Sequence, residues 1–566
     1  MNSPSPVRRR PGAPYPSARR SGARRFALLA VMSAVAIVAA SCGGGGDDDA
    51  SGGGDDAPGA PTRGGTVVYG LEAETSEGWC LPEASLAISG IQVARAIYDT
   101  LTIPDENAEY QPFLAESVEP NEDDTVWTIR LRPDITFHDG SPLDAEVVKN
   151  NIDAYRGEYP GRTALQYMFV FENMADVTVV DPLTVQITTK TPWPALPAAL
   201  FGSGRVGMVA QAQLDDPETC DSKLIGTGPF VLDEWKVDES LTATRNPDYW
   251  GTDAEGEQLP YLDAIEFRPL ADGNSRVNTL LSGEIQAAHM SMAEDIEVVT
   301  DEAESGGLEV ISSADFGEVG YQMLNTAKPP FDNKLAREAV VKAIDMDTYN
   351  SVRNQDLMTN ANGPFAPGEI GHLDDTGYPT YDLDAAKKAV AAYEAETGQP
   401  LEFTISLSPD AGTVSNMQVF QEMFTKAGIT SHLETIPQAK LIDTAIAKDF
   451  QMLDWRNHPG GNPDGQFDWW KSGSVLNFSS IDDPEIDRLL LEGRAERDVT
   501  ERQRIYGEIN ERFATELYNL WMQWTQWTVA TSPTVHGVMG PALPDGAAPF
   551  PGLATGHSVA GLWVEQ

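Results

Sequence analysis

Between Ile225 and Gly251 the chain reads IGTGPFVLDEWKVDESLTATRNPDYWG. A Gly-Pro turn opens a strand, a polar reversal follows, and a second strand ends in the turn Asn246-Pro247-Asp248-Tyr249-Trp250. Two such runs joined by a short polar reversal pair as an antiparallel hairpin. The chain must therefore build at least one sheet around this pair.

Strands and helices interleave elsewhere. Gly65-Thr66-Val67-Val68-Tyr69-Gly70 reads as a strand, Leu86 to Tyr98 as a helix, and Val126 to Leu131 alternates apolar and polar residues as a half-buried strand does. Asp144 is placed to cap a helix after the Phe137-His138-Asp139-Gly140 turn, where His138 is read as structural. Farther on, Leu335, Ala339, Val340, Ala343 and Ile344 fall on one helical face. Asp382 caps a helix from Leu383 to Glu396 that Gly398 closes, and Leu401 to Ile405 is the next strand. A helix from Val414 to Lys426 ends at Gly428 before another strand. This rhythm predicts an α/β fold with a mainly parallel sheet. About 500 residues follow the N-terminal segments, more than one hydrophobic core normally serves, so at least two lobes are expected.

The N-terminus predicts where the protein works. Residues 1–41 carry seven Arg and no acid, and an apolar run from Phe26 to Ala40 closes on Ser41-Cys42. The run is too short to span a bilayer, and small residues precede the cysteine, so 1–41 reads as a signal peptide. Cys42 in this setting resembles the acylated cysteine of a lipobox, although Ala39 stands where Leu is usual; plain secretion with a free Cys42 is the alternative. Arg24-Arg25-Phe26 fits either a twin-arginine signal or an ordinary basic segment. Residues 42–62 follow as a Gly- and Asp-rich linker with almost nothing apolar to bury, a flexible tether. The expected location is the extracytoplasmic face of the cell membrane, through a lipid anchor.

With 86 acidic against 39 basic residues the chain carries a net charge of −47, which repels nucleic acid and anionic lipid headgroups. Cys80 and Cys220 are the other two cysteines; in an exported chain they favour a disulfide, against two unpaired buried thiols. The sequence has no GxSxG elbow and no HExxH helix, and its seven His residues are scattered. Gly202 to Gly207 matches GxGxxG, but it follows the Pro-broken Trp193–Pro197 segment and reads as a loop. No catalytic residue, metal site or cofactor is predicted; a secreted hydrolase is the weaker alternative.

The hairpin's Gly226-Thr227-Gly228-Pro229-Phe230 and Arg245-Asn246-Pro247-Asp248-Tyr249-Trp250 closely resemble the signature of the family 5 extracellular solute-binding proteins, the peptide-binding components of ABC importers. Leu114-Ala115-Glu116-Ser117, Arg130-Leu131-Arg132-Pro133 and Phe137 to Leu143 resemble the family in the same order. Asn325-Thr326, Pro329-Pro330-Phe331-Asp332 and Ala343-Ile344-Asp345 extend the likeness through the second half. The resemblance implies a two-lobed fold of the periplasmic-binding-protein type, with a ligand cleft between lobes joined by a two-strand hinge. Lobe I would comprise 63–320 with 525–566 returning to it, and lobe II 321–524. It also implies a monomer that captures a peptide or peptide-like solute and delivers it to ABC permease subunits and their ATPases. A nickel chelate, an oligosaccharide or an opine-like compound are the non-peptide alternatives.

Ligand contacts are expected in the polar stretch that follows Leu453, read as a loop at a sheet edge. Peptide binders of the family carry a Trp here and, three residues later, an Asp that pairs with the peptide's amino terminus. In this chain Trp455 is followed at that position by His458, and one further residue precedes Pro463-Asp464. Trp455 is expected as a stacking wall and Arg456 as a planar fork for a carboxylate, with Asp454, Asn457 and His458 beside them; the alternative for Arg456 is an ion pair with one of the chain's many acids. Trp79, after the first strand, is a further candidate. Trp521, Trp524 and Trp527 recur at an interval that would put them near one face if the preceding helix continued that far; they are read as core packing, with one of them reaching the cleft as the alternative.

Overall fold

A computed structural model of the chain describes residues 59–565, apart from 76–77, 85, 165–166, 217, 219–221 and 458–460. The expected signal peptide, most of the linker, Cys42, Cys220 and His458 thus lie outside the described residues. Cys80 is disulfide-bonded.

Two large sheets organise the described chain. The first has seven strands in the order Glu309–Ser313, Trp527–Thr531, Ala287–Met290, Thr66–Leu71, Ala264–Pro269, Ser240–Arg245 and Phe230–Lys236. At its centre Thr66–Leu71 runs parallel to both of its neighbours. The second has six, in the order Thr359–Asn360, Asn519–Trp524, Val319–Leu324, Met452–Asn457, Glu402–Leu407 and Thr430–Thr435. A separate antiparallel sheet has four strands in the order Ala115–Pro120, Val126–Leu131, Thr184–Thr189 and Met174–Asp181. The second sheet is mixed, not mainly parallel as expected. Glu402–Leu407 is parallel to both neighbours through helix-linked crossovers, but Val319–Leu324 pairs antiparallel with Met452–Asn457 and with Asn519–Trp524.

The chain passes between the two sheets twice, from Ser313 to Val319 and from Trp524 to Trp527. These passages touch: the Thr525 amide donates to the Glu318 carbonyl at 2.8 Å. This is the two-strand hinge of a two-lobed fold. Separate apolar clusters fill the lobes, one around Tyr69, Ile97 and Trp193, others around Phe403 and Phe424 and around Phe365 and Phe513.

The signature hairpin forms as expected, Phe230–Lys236 against Ser240–Arg245. Its opening glycines are there for closeness. A Cβ on Gly226 would sit 2.0 Å from the Ile97 carbonyl oxygen, at the end of helix Ile88–Ile97. Asp99, just past that helix, accepts hydrogen bonds from Thr227 Oγ1 at 3.0 Å and Trp250 Nε1 at 2.9 Å. His138 joins the same knot: its Nε2–H donates to the Gly228 carbonyl and its Nδ1 accepts from the Gly226 amide. The predicted caps also form, with Asp144 accepting from the Val147 amide and Asp382 from the Ala385 amide, while Gly398 and Gly428 end their helices in the left-handed conformation.

Three expectations need correction. Trp521 and Trp524 lie on strand Asn519–Trp524 and Trp527 on the next strand, because helix Val499–Glu516 stops at Leu517, whose φ of 59° is left-handed. Asp454 to Asn457 belong to strand Met452–Asn457, which is internal to the second sheet and not a loop at its edge. The Gly202–Gly207 stretch begins as a short 3-10 turn, Gly202–Gly204, directly after helix Leu196–Phe201, which accommodates Pro197 in its first turn.

Candidate functional site: a cleft with a charged end

A cavity of about 710 Å³ lies between the lobes, within the size range of small-molecule sites. Lobe I supplies Glu72 after the strand Thr66–Leu71, the start of helix Ile88–Ile97, the Tyr167–Val170 turn and Arg205. Lobe II supplies residues of helix Gln438–Ile446, the end of strand Met452–Asn457, Trp469 and Phe478. Glu318 and Trp527 enter from the hinge passages.

Four of the six expected contacts reach this cavity: Asp454, Trp455, Arg456 and Asn457. Side chains alternate along a strand, so Asp454 and Arg456 project from one face and Trp455 and Asn457 from the other. All four line the cavity because the strand ends there. Trp455 forms an aromatic corner with Trp469, at 6.3 Å between ring centres, and with Phe478 at 5.8 Å. Its buried Nε1 has no hydrogen-bond partner among the described residues. Asn457 is committed internally, donating through Nδ2 to Gln466 Oε1 at 2.6 Å. His458 lies outside the described residues. Trp79 does not line the cavity: it is 1% exposed and packs edge-on against Trp235 in the lobe I core. A position just after the first strand is next to the cleft, but it is Glu72 that faces it.

The Arg456 side chain is 45% exposed and lines the cavity. Its Nη1 lies 3.4 Å from Ser291 Oγ and 3.8 Å from Glu318 Oε2. Burial works against its charge, but Glu318, Glu72 and Asp454 more than offset that and hold its pKa above the ordinary value. Glu318 also accepts from Trp527 Nε1 at 3.1 Å. Glu72 accepts from the Ser291 amide at 2.7 Å and faces Arg276 Nη2 at 3.4 Å, and Arg276 is shared with Asp295 at 3.0 Å.

Asp454 accepts from Gln322 Nε2 at 2.5 Å through one carboxylate oxygen. Burial pushes its pKa up to about 6, with the Gln322 hydrogen bond and Arg456 pulling the other way. The charged end therefore presents a cation, Arg456, flanked by carboxylates, an arrangement suited to a group carrying both signs. Helix Ile88–Ile97 adds its positive end, since Ala87 at its N-cap offers no side-chain acceptor to the first-turn amides.

A second polar knot ties the lobes together beside the cavity. Asp464, 5% exposed, accepts from Trp193 Nε1 of lobe I at 2.7 Å and from Arg494 Nε at 2.8 Å. The Arg494 guanidinium lies 3.5 Å from the centre of the Phe467 ring. Among the described residues there is no cluster of three or more His, Cys, Asp or Glu fit to hold a metal, and no helix long and apolar enough to cross a membrane.

Sequence reasoning missed Glu72, Glu318, Arg205, Trp469 and Phe478. Their separation along the chain carries no spacing signal; only the fold brings them to one cavity.

Comparison with known proteins agrees with this architecture. The nonapeptide complex of the oligopeptide-binding protein AppA from Bacillus subtilis superposes with a TM-score of 0.76 at 20% identity, over 89% of this chain and all of that one. The binding protein AgaA of Agrobacterium, in complex with agropinic acid, gives 0.77 at 24% identity over 89% and 99%. In sequence, the glutathione-binding protein GsiB of Salmonella paratyphi A is 29% identical over 342 residues, which is 60% of this chain and 64% of that protein. The model of bacterial extracellular solute-binding proteins, family 5, matches residues 109–478. The chain belongs to the family 5 bacterial extracellular solute-binding proteins.

Proposed function

We propose that this protein is the substrate-binding component of an ABC importer, taking a peptide or peptide-like solute into the cleft and delivering it to permease subunits served by their ATPases. The observation that carries this reading is the juxtaposition of Arg456 with Asp454 and Glu318 at one end of a cavity walled by both lobes. Arg456 would take a carboxylate and Asp454 an ammonium, so a zwitterionic, amino-acid-derived solute fits better than an anion alone. An opine-like solute carries the same pair of groups, and the agropinic acid complex of AgaA keeps it as the second reading.

The remaining assignments belong to the same proposal. Lobe I would comprise 63–320 and 525–566 and lobe II 321–524, a division supported by the passages at 313–319 and 524–527. Cys42 would be the acylated mature terminus, 42–62 the tether, and the protein a monomer on the extracytoplasmic face. Cys80 would pair with Cys220, the cysteine nearest ahead of the signature hairpin.

Native mass spectrometry of protein purified from its own host would identify a retained solute. Calorimetry with that solute would then compare wild type with Arg456→Ala and Trp455→Ala. Loss of a desolvated charge partner costs ~2–5 kcal/mol of binding. Wild-type affinity in Arg456→Ala would refute the role given to the charged end.

A further inference from the structure

The cavity is divided by chemistry. Among the described residues its charged side chains are those of Glu72, Arg205, Glu318, Asp454, Arg456 and Asp464. Three other segments contribute to the wall, 164–170 of lobe I and 441–446 and 469–478 of lobe II, and among the described residues every lining residue they supply is apolar or aromatic. Among the described lining residues of these segments only Tyr167 and the Trp469 indole carry a polar side-chain N or O atom, and the Tyr167 hydroxyl is already committed to the Gly202 carbonyl at 2.6 Å.

Within these segments three large apolar side chains are left open: Met168 at 41%, Ile446 at 42% and Val475 at 47% exposed. Isolated exposed apolar residues need no explanation, but these three come from both lobes and front one cavity. Phe169, next to Met168, packs against the lobe II cluster that includes Leu441 and Leu476, so the segments are adjacent across the lobes. The wall they make is continuous with the charged end through Trp455, which packs against that same cluster.

We infer that Met168, Ile446 and Val475 form an apolar subsite that takes one bulky hydrocarbon or aromatic side chain of the bound solute, while its polar head lies at Asp454 and Arg456. The inference rests on the peptide-like reading given above and narrows it: the protein selects amphipathic solutes. A small polar peptide would leave the three side chains wet, whereas an inserted leucine-sized arm removes apolar surface from water on both partners.

Two probes test this separately. Calorimetry compares trialanine with the three tripeptides in which leucine replaces one alanine, on wild type and on the Met168→Ser/Ile446→Ser double variant, whose fold is checked by its melting curve. At least one leucine peptide should bind wild type tenfold or more tighter than trialanine, and that preference should fall below threefold in the double variant. The second probe is 8-anilinonaphthalene-1-sulfonate, an aromatic dye that fluoresces when its rings leave water; its signal on wild type should be lost in the double variant. Equal affinity for trialanine and all leucine peptides, a preference that survives the double substitution, or unchanged dye fluorescence would overturn the subsite. Dye fluorescence lost in the variant while no tripeptide binds would uphold the subsite and overturn the peptide reading.

Discussion

Replacing Asp454 by Asn isolates the cost of keeping a carboxylate in the cleft. The substitution preserves the acceptor that Gln322 Nε2 uses and the volume of the side chain, and removes only the charge. In the folded protein burial holds the Asp454 pKa at about 6, against an ordinary value of 3.8. Below about pH 3 the group is protonated in both folded and unfolded chains and contributes almost nothing. As pH rises toward 6 the unfolded chain has released the proton while the folded one retains it, so stability falls. Above 6 both are charged and the folded state bears the whole penalty, ~3 kcal/mol by the equivalence of 1.36 kcal/mol per pKa unit, and nearer ~2 kcal/mol once the solvent in the cavity screens part of it.

Asp454→Asn should therefore leave stability nearly unchanged near pH ~3 and raise it by ~2 kcal/mol at pH ~8. Denaturant unfolding of wild type and Asp454→Asn at half-unit steps from pH ~3 to ~8 gives the difference curve directly. Other buried carboxyls such as Asp99 and Asp468, whose pKa values are also raised, cancel in that difference. A loss at pH 8 would show that Asp454 is a stabilising partner of Arg456 and not a charge held ready for a ligand, and a gain independent of pH would show that its ionisation is not the source of the cost.

Three further outcomes follow from the geometry. Gly226→Ala places a methyl 2.0 Å from the Ile97 carbonyl oxygen and should cost ~3 kcal/mol or more, read as a lowered melting temperature; a wild-type melt would show that the signature turn has room to move. Trp193→Phe removes the indole N–H that Asp464 accepts across the lobes and should lower stability by ~1.5–3 kcal/mol in denaturant unfolding, because the acceptor is charged and buried. Cys42→Ser should release the protein from washed membranes into the medium; retention in the membrane fraction would exclude acylation at this cysteine.

The fold was largely legible because its signals are local. Asp144, Asp382, Gly398 and Gly428 each mark a helix end through their own side chain or backbone conformation, and each does so in the structure. The tryptophans at 521, 524 and 527 misled for the opposite reason. Their spacing is helical, but the left-handed Leu517 ends the helix first, and leucine gives no sequence sign of that conformation. The cleft was legible only where one strand delivers several contacts together, Asp454 to Asn457. Glu72 and Glu318 are single acids among 86, and nothing in their neighbours distinguishes them from solvated surface.

The same contrast explains why the family is easier to recognise than its ligand. The residues that make the chain recognisable, Gly226, Thr227, Gly228 and Trp250, bind the hairpin to Asp99 and to the end of helix Ile88–Ile97. None of these four lines the cleft. They are constrained by close backbone approach and by a buried carboxylate, demands that any solute-binding protein built this way must meet whatever it carries. The proposed solute contacts fall instead to side chains such as Met168, Ile446, Val475 and Arg456, which stay open to the cavity and stand outside this knot. A chain can thus declare its architecture in a single hairpin while its solute is specified by residues hundreds of positions apart, joined only when the two lobes face each other.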